Sequence, residues 1–286
     1  MARRSAPRLF AIVTDDDKIP QHEHARVDGV TQARILEETL AFRTIGPCPL
    51  FQDVEFKLPT LTTGVNDVWF TLISNTTVRT VCDVIKVTRR DFKSLEANNL
   101  LTNNVLDAYF TMINVRSWKG FGTACTIYCV PCFFFEAYCK MYSQHLSVFV
   151  REFIQKKMIR AKMLVIPDHR FCHWSLIIVD FVDRRISRYD PMRMKSDEAL
   201  EQAKELITHV HSLHFKNYVR DWANWLFTHV EDGPKLTNGY DWGVFVTQYA
   251  ECLSREVRPN FKQKHMRDFR KIMMVEIKNQ QILPRT

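Results

Sequence analysis

Apolar and polar positions change rhythm several times along the chain, and from residue 84 onward each rhythm predicts an element. Leu101, Val105, Leu106, Tyr109 and Ile113 recur at helical spacing and predict a helix over 101–113. The short apolar run MLVIP over 163–167 predicts a strand. The segment HWSLIIVDFVDRRISRYD predicts a hairpin, with strands over 173–182 and 186–190 around a turn at 183–185. Over 197–214, Leu200, Ala203, Leu206, Ile207, Val210 and Leu213 share one helical face. A further helix is predicted from Asp241, with Phe245, Val246, Tyr249, Cys252 and Leu253 on one side. The last, over 261–281, sets Met266, Phe269, Met273 and Ile277 inward and Lys262, Arg270 and Lys278 outward. Helices before and after a central group of strands predict an α+β domain.

Residues 1–83 carry no comparable rhythm. Pro20, His22 and His24 lie in a polar stretch, and Pro47, Pro49 and Pro59 interrupt the residues after it. An N-terminal extension over 1–83, partly helical or mobile, is expected ahead of a domain over 84–286. There is no internal repeat and no low-complexity segment.

Composition narrows the picture in three ways. At 46% hydrophobic the 286-residue chain is too apolar to stay disordered. Its net charge of +8 suits an acidic protein partner or nucleic acid and does not choose between them. No apolar run reaches the ~18 residues of a membrane-spanning helix. The apolar part of the first residues, MARRSAPRLFAIV, is too short for a secretory signal. Many of the 8 cysteines sit in apolar segments, as reduced thiols of a nuclear or cytoplasmic protein do.

Cys125, Cys129, Cys132 and Cys139 have a spacing that could ligate a cluster. The surrounding CTIYCVPCFFFEAYC is densely apolar, which favours buried free thiols on a helix leading into the core. His209, His211 and His214 read as a solvated helix face, so neither a metal nor another cofactor is expected.

From Val84 to Leu283 the chain resembles the catalytic domain of the Ulp/SENP family of SUMO-specific cysteine peptidases. The likeness rests on DVIKVTRRDFKSLEANNLLTNNVLDAYF, HWSLIIVD with RYDPM, LTNGYDWGVFVTQYAECL and PNFKQKHMRDFRKIMMVEIKNQQIL, in that order. It implies a papain-like α+β fold, a small central sheet flanked by helices. It also implies an acyl-transfer site in which a Cys thiolate attacks, His moves the proton, Asp orients the His and a Gln holds the oxyanion. By the resemblance His173 is the base and Asp190 its orienting acid.

The same likeness puts Trp242 where the nucleophile belongs and Leu236 at the oxyanion position. An indole offers one N–H donor and no nucleophile, and Leu236 has no side-chain donor. Trp174 keeps one ring of the family's substrate tunnel, while the second ring falls at Leu100 and the acidic SUMO contact at Asn103. The expectation is a catalytically inactive binding or scaffold protein with Trp242 plugging the old channel. Its partner would be SUMO, another ubiquitin-like protein or a protein still to be identified. The alternatives are a live SUMO-specific peptidase using another cysteine, and a basic nucleic-acid-associated protein. Cys172, next to His173 on a strand, is expected to turn away from the imidazole, and Cys252 to lie about three turns along the helix.

Overall fold

A computed structural model describes residues 79–82, 84–120, 127–140, 156–170, 172–214 and 221–285, together with Leu58 and Val150. The predicted extension over 1–83 lies almost wholly outside these residues, as do Cys48 and Cys125. The first described elements form a two-stranded antiparallel pair, β1 (Arg79–Val81) and β2 (Ile85–Val87). Helix α1 (Arg89–Ser94) comes next, started by a capping box between Thr88 and Asp91. The Asp91 carboxylate also accepts from Thr102 Oγ1 at 2.6 Å, tying α1 to the start of α2 (Asn103–Gly120).

The central sheet has the order β3 (Ile127–Cys129), β4 (Met163–Arg170), β5 (His173–Asp180), β6 (Arg185–Tyr189) and β7 (Leu226–His229). The pairs β4–β5 and β5–β6 are antiparallel, while β3–β4 and β6–β7 are parallel. Helices α3 (Cys132–Lys140) and α4 (Lys156–Arg160) precede β4, and α5 (Asp197–His214) links β6 to β7. The chain ends in α6 (Trp242–Ser254) and α7 (Met266–Asn279). The α+β class and the small sheet flanked by helices are as the sequence predicts.

Strand alternation divides the core. Trp174, Leu176 and Ile178 of β5 pack with α2, α6 and α7, while Ile177 and Val179 face α3 and α5. Pro167, inside β4, lies beyond the three-residue pairing with β3, where its missing N–H leaves no ladder bond unmade.

Several local expectations are corrected. The segment read as one cysteine-bearing helix is a strand, β3, followed by α3, because Pro131 at the junction lacks the N–H a continuous helix would need. Residues 243–253 of α6 are buried on every side, since the helix is enclosed between the sheet and its helical neighbours. Arg270 of α7 points inward and is only 3% exposed. His211 is buried against Phe181, with ring centroids 5.8 Å apart, rather than solvated. Among the described residues no helix is long and apolar enough to cross a membrane.

Candidate functional site

The hairpin register builds one part of the site. Leu176 pairs with Tyr189 across β5 and β6, so Asp190 sits at the level of Ser175, one diagonal step from His173. His173 Nε2 and Asp190 Oδ2 are 3.0 Å apart, and both side chains are buried.

A third group shares that carboxylate. Arg188 Nη1 lies 2.8 Å from the same Asp190 Oδ2, and Arg188 Nε lies 3.5 Å from Asp168 Oδ2. Asp168 in turn pairs with Arg170 at 2.7 Å and accepts from Ser175 Oγ at 3.1 Å. Burial raises the Asp190 carboxyl, but the His173 hydrogen bond and the Arg188 charge outweigh it and hold it below the usual range. Sequence reasoning missed Arg188. Its signal was a charge two residues before Asp190 on the same strand, hence on the same face of the sheet.

The other part of the site comes from the start of α6. Asp241 precedes the helix, but its carboxylate turns away from the helix N–H groups. It accepts instead from Asn238 at 2.6 Å, Gln263 at 2.8 Å and Arg270 Nε at 2.9 Å. A Cβ on Gly243 would come within 2.9 Å of Leu101 Cβ, so only glycine lets this turn press against the residues leading into α2. Leu236 is buried, and its N–H donates to Pro191 O at 2.9 Å, bringing the loop before α6 beside the end of β6.

Trp242, in the first turn of α6, faces His173 with ring centroids 6.5 Å apart and planes tilted by 55°. Its ring does not fill the space around it. It is partly exposed and borders a cavity of about 110 Å³ that Leu100, Asn103, His169, Cys172, Trp174 and Tyr240 also line. The plug expectation is therefore corrected to a wall. Trp242→Ala is expected to destabilise the domain by about 1–2 kcal/mol in a urea melt, below the ~3–5 kcal/mol of a fully enclosed aromatic. A loss above that range would show the ring to be a true plug.

Cys172 also departs from expectation. It lies in the turn before β5 with φ 64°, not on the strand, so strand alternation does not govern it, and its exposed side chain lines the cavity. Cys252 is buried in α6, where burial pushes its thiol up to about 12. Among the described residues no group of three or more His, Cys, Asp or Glu side chains is arranged to hold a metal.

Chemically, His173 and Asp190 can hold and pass a proton, and Trp242 sets an indole against that pair. Residues 129–284 match the sequence profile of the Ulp1 protease family, C-terminal catalytic domain. A sentrin-specific protease of Caenorhabditis elegans is 27% identical over 199 residues, covering 70% of this chain and 28% of its own length. The chain thus spans only about a third or less of the length of such curated relatives, 28% of this one and 33% of the mouse sentrin-specific protease 2. The Chaetomium thermophilum Ulp1-like SUMO protease catalytic domain superposes with a TM-score of 0.68 at 20% identity, over 84% of this chain and 96% of that one. The C-terminal Ulp1 protease domain solved in complex with Smt3, the yeast ortholog of SUMO, gives 0.64 at 19% identity, over 82% and 99%.

Proposed function

Since this chain belongs to the Ulp1 protease family, with its C-terminal catalytic domain over residues 129–284, we propose that it is a member without peptidase activity that serves as a binding or scaffold protein. The observation that carries this reading is Trp242, in the first turn of α6 and against the buried His173–Asp190 pair. Acyl transfer in the family needs a thiolate at that point. His173 could take a proton, but Trp242 has no S–H or O–H to give up and no lone pair with which to attack a carbonyl. Leu236 adds a second deficit, because a developing oxyanion would find no side-chain donor there. In a comparable triad, losing the nucleophile costs on the order of a millionfold in rate.

SUMO, which the Ulp1 domain holds in its complex with Smt3, or another ubiquitin-like protein is the partner class proposed for this chain. Leu100 and Asn103, which replace a tunnel ring and an acidic contact in the family pattern, weaken that attachment.

One observation favours a second reading. The thiol of Cys172 lines the same cavity as Trp242 and could stand in for the missing nucleophile. Both readings meet in one experiment, incubation of the purified chain with SUMO bearing a C-terminal thiol-reactive electrophile, alongside a SUMO precursor and a binding assay. No adduct and no processed precursor are expected, with or without measurable binding. An adduct mapped to Cys172 or to any other cysteine, with turnover abolished by its replacement, would make the chain a live peptidase.

A further inference from the structure

The cavity beside Trp242 has a lining of marked chemistry. Trp174, Tyr240 and Trp242 border it, and His169 backs the Trp174 indole with ring centroids 4.4 Å apart and planes tilted by 36°. Among the described residues that line it there is no carboxylate, lysine or arginine. The exposed Leu100 and Cys172 side chains belong to the same lining, so the space opens to solvent. Its volume of about 110 Å³ compares with the ~30 Å³ that one water occupies in the liquid. A compact group of a few heavy atoms fits. Among the described residues nothing accepts a hydrogen bond from Trp242 Nε1, so packing alone orients that indole.

Aromatic faces are the negative side of a quadrupole and attract a cation most strongly where water is excluded. A bare ammonium entering such a space would exchange its hydration for a few fixed acceptors, the Asn103 amide, the His169 ring, the Tyr240 hydroxyl and the weakly accepting Cys172 sulfur. A trimethylammonium spreads its charge over an apolar shell and needs no acceptor. A small anion would meet the negative faces of the rings.

We infer that this cavity binds a trimethylammonium group, as carried by a trimethylated lysine or by choline. The inference rests on the proposed binding function, because it treats the space beside Trp242 as a ligand pocket.

Titration of the chain with choline and with its neutral isostere 3,3-dimethylbutanol, followed on the indole N–H signals of Trp174 and Trp242, tests it. Saturable shifts with choline are expected, and binding of the neutral isostere should be weaker by about fivefold or more. A peptide bearing trimethyl-lysine and free phosphocholine form two further arms, which distinguish a protein source from a small-molecule source. The unmethylated lysine peptide should bind about tenfold or more weakly than its trimethylated form. Tyr240→Leu should weaken choline by about fivefold or more, with a melting curve to show that the fold is kept. On the unmutated chain, saturating choline should slow alkylation of Cys172 by iodoacetamide, mapped by mass spectrometry. Equal binding of choline and its neutral isostere, or no saturable shift with either, overturns the proposal. No arm measures cleavage or SUMO binding, so this inference can fail while the pseudoprotease reading stands, and a SUMO adduct would sink that reading alone.

Discussion

Arg270→Met is expected to cost the domain about 3–5 kcal/mol, the usual result of removing one partner from a buried, hydrogen-bonded ion pair. Arg270 meets the Asp241 carboxylate with Nε at 2.9 Å and Nη2 at 2.8 Å. Its remaining N–H groups donate to Ser94 O and Glu96 O at 3.0 Å, Asn99 O at 2.8 Å and Tyr240 O at 3.2 Å. One guanidinium thus joins the end of α1, the loop leading to Leu100, the start of α6 and α7. Methionine would leave a buried carboxylate without its cation and four carbonyls short of a donor. Arg270→Lys should rescue little, because one ammonium cannot reproduce the planar fork. Adding Asp241→Asn to Arg270→Met should recover part of the loss, since the stranded charge is then gone. Urea denaturation of the single and double variants measures this, and a loss below about 1 kcal/mol for Arg270→Met would show the clamp to be unimportant. The loop and Tyr240 that Arg270 holds also wall the cavity beside Trp242, so the emission of Trp242 should change before global unfolding.

Arg270 also marks the limit of what the chain's pattern reveals. The stripe of Met266, Phe269, Met273 and Ile277 was readable, and all four are buried. Position 270 falls within the same arc, but its charge argues for the outside, and the compensating Asp241 lies 29 residues away. Periodicity records which positions are apolar. It does not record which charges find a partner after the chain has folded. The same blindness hid Arg188, Glu251 and Glu276, each at most 2% exposed and paired with a residue outside its own element, Asp168, Arg116 and Arg285 respectively.

Strand alternation did better. It predicted β5 and β6 to within two residues at their ends, and their register sets the distance between His173 and Asp190. Cys172 escaped because one residue separates a strand from a turn, and a positive φ reverses the direction a strand would give its side chain. The cavity was illegible for another reason. Its walls come from the loop before α2, the β4–β5 turn and the start of α6, and no local pattern encodes their distance apart.

Glu276 and Arg285 carry the second large expected effect, and it depends on pH. Glu276 is fully buried, and burial pushes its carboxyl up to about 7 even though Arg285 acts to lower it. Arg285 Nη2 lies 2.9 Å from Glu276 Oε1, Tyr109 donates to Glu276 Oε2 at 2.9 Å, and Leu283 N–H donates to Oε1 at 2.9 Å. Gln248 and Glu251 of α6 complete the surroundings, the latter 3.8 Å from Arg285 Nε. A carboxyl whose folded pKa lies above its unfolded value stabilises the fold fully below the unfolded value, and that stability is lost as pH rises through the folded one. For Glu276 the window runs from about 4.5 to about 7. Against Glu276→Gln, the wild-type chain should therefore lose on the order of 3 kcal/mol between the two ends of that window. His209 and His265, held low chiefly by burial, titrate with the opposite sign but are common to both chains and cancel in the difference. Arg285→Met removes the nearest cation, so Glu276 should titrate higher still. The variant should lose about 3–5 kcal/mol at pH 8 and distinctly less near pH 5, where a protonated Glu276 no longer needs its partner. The double variant Arg285→Met with Glu276→Gln should show neither the large loss at pH 8 nor the steep slope. Urea midpoints at the two pH values decide it. Parallel curves for Arg285→Met and the wild type would mean that Arg285 does not set the titration of Glu276.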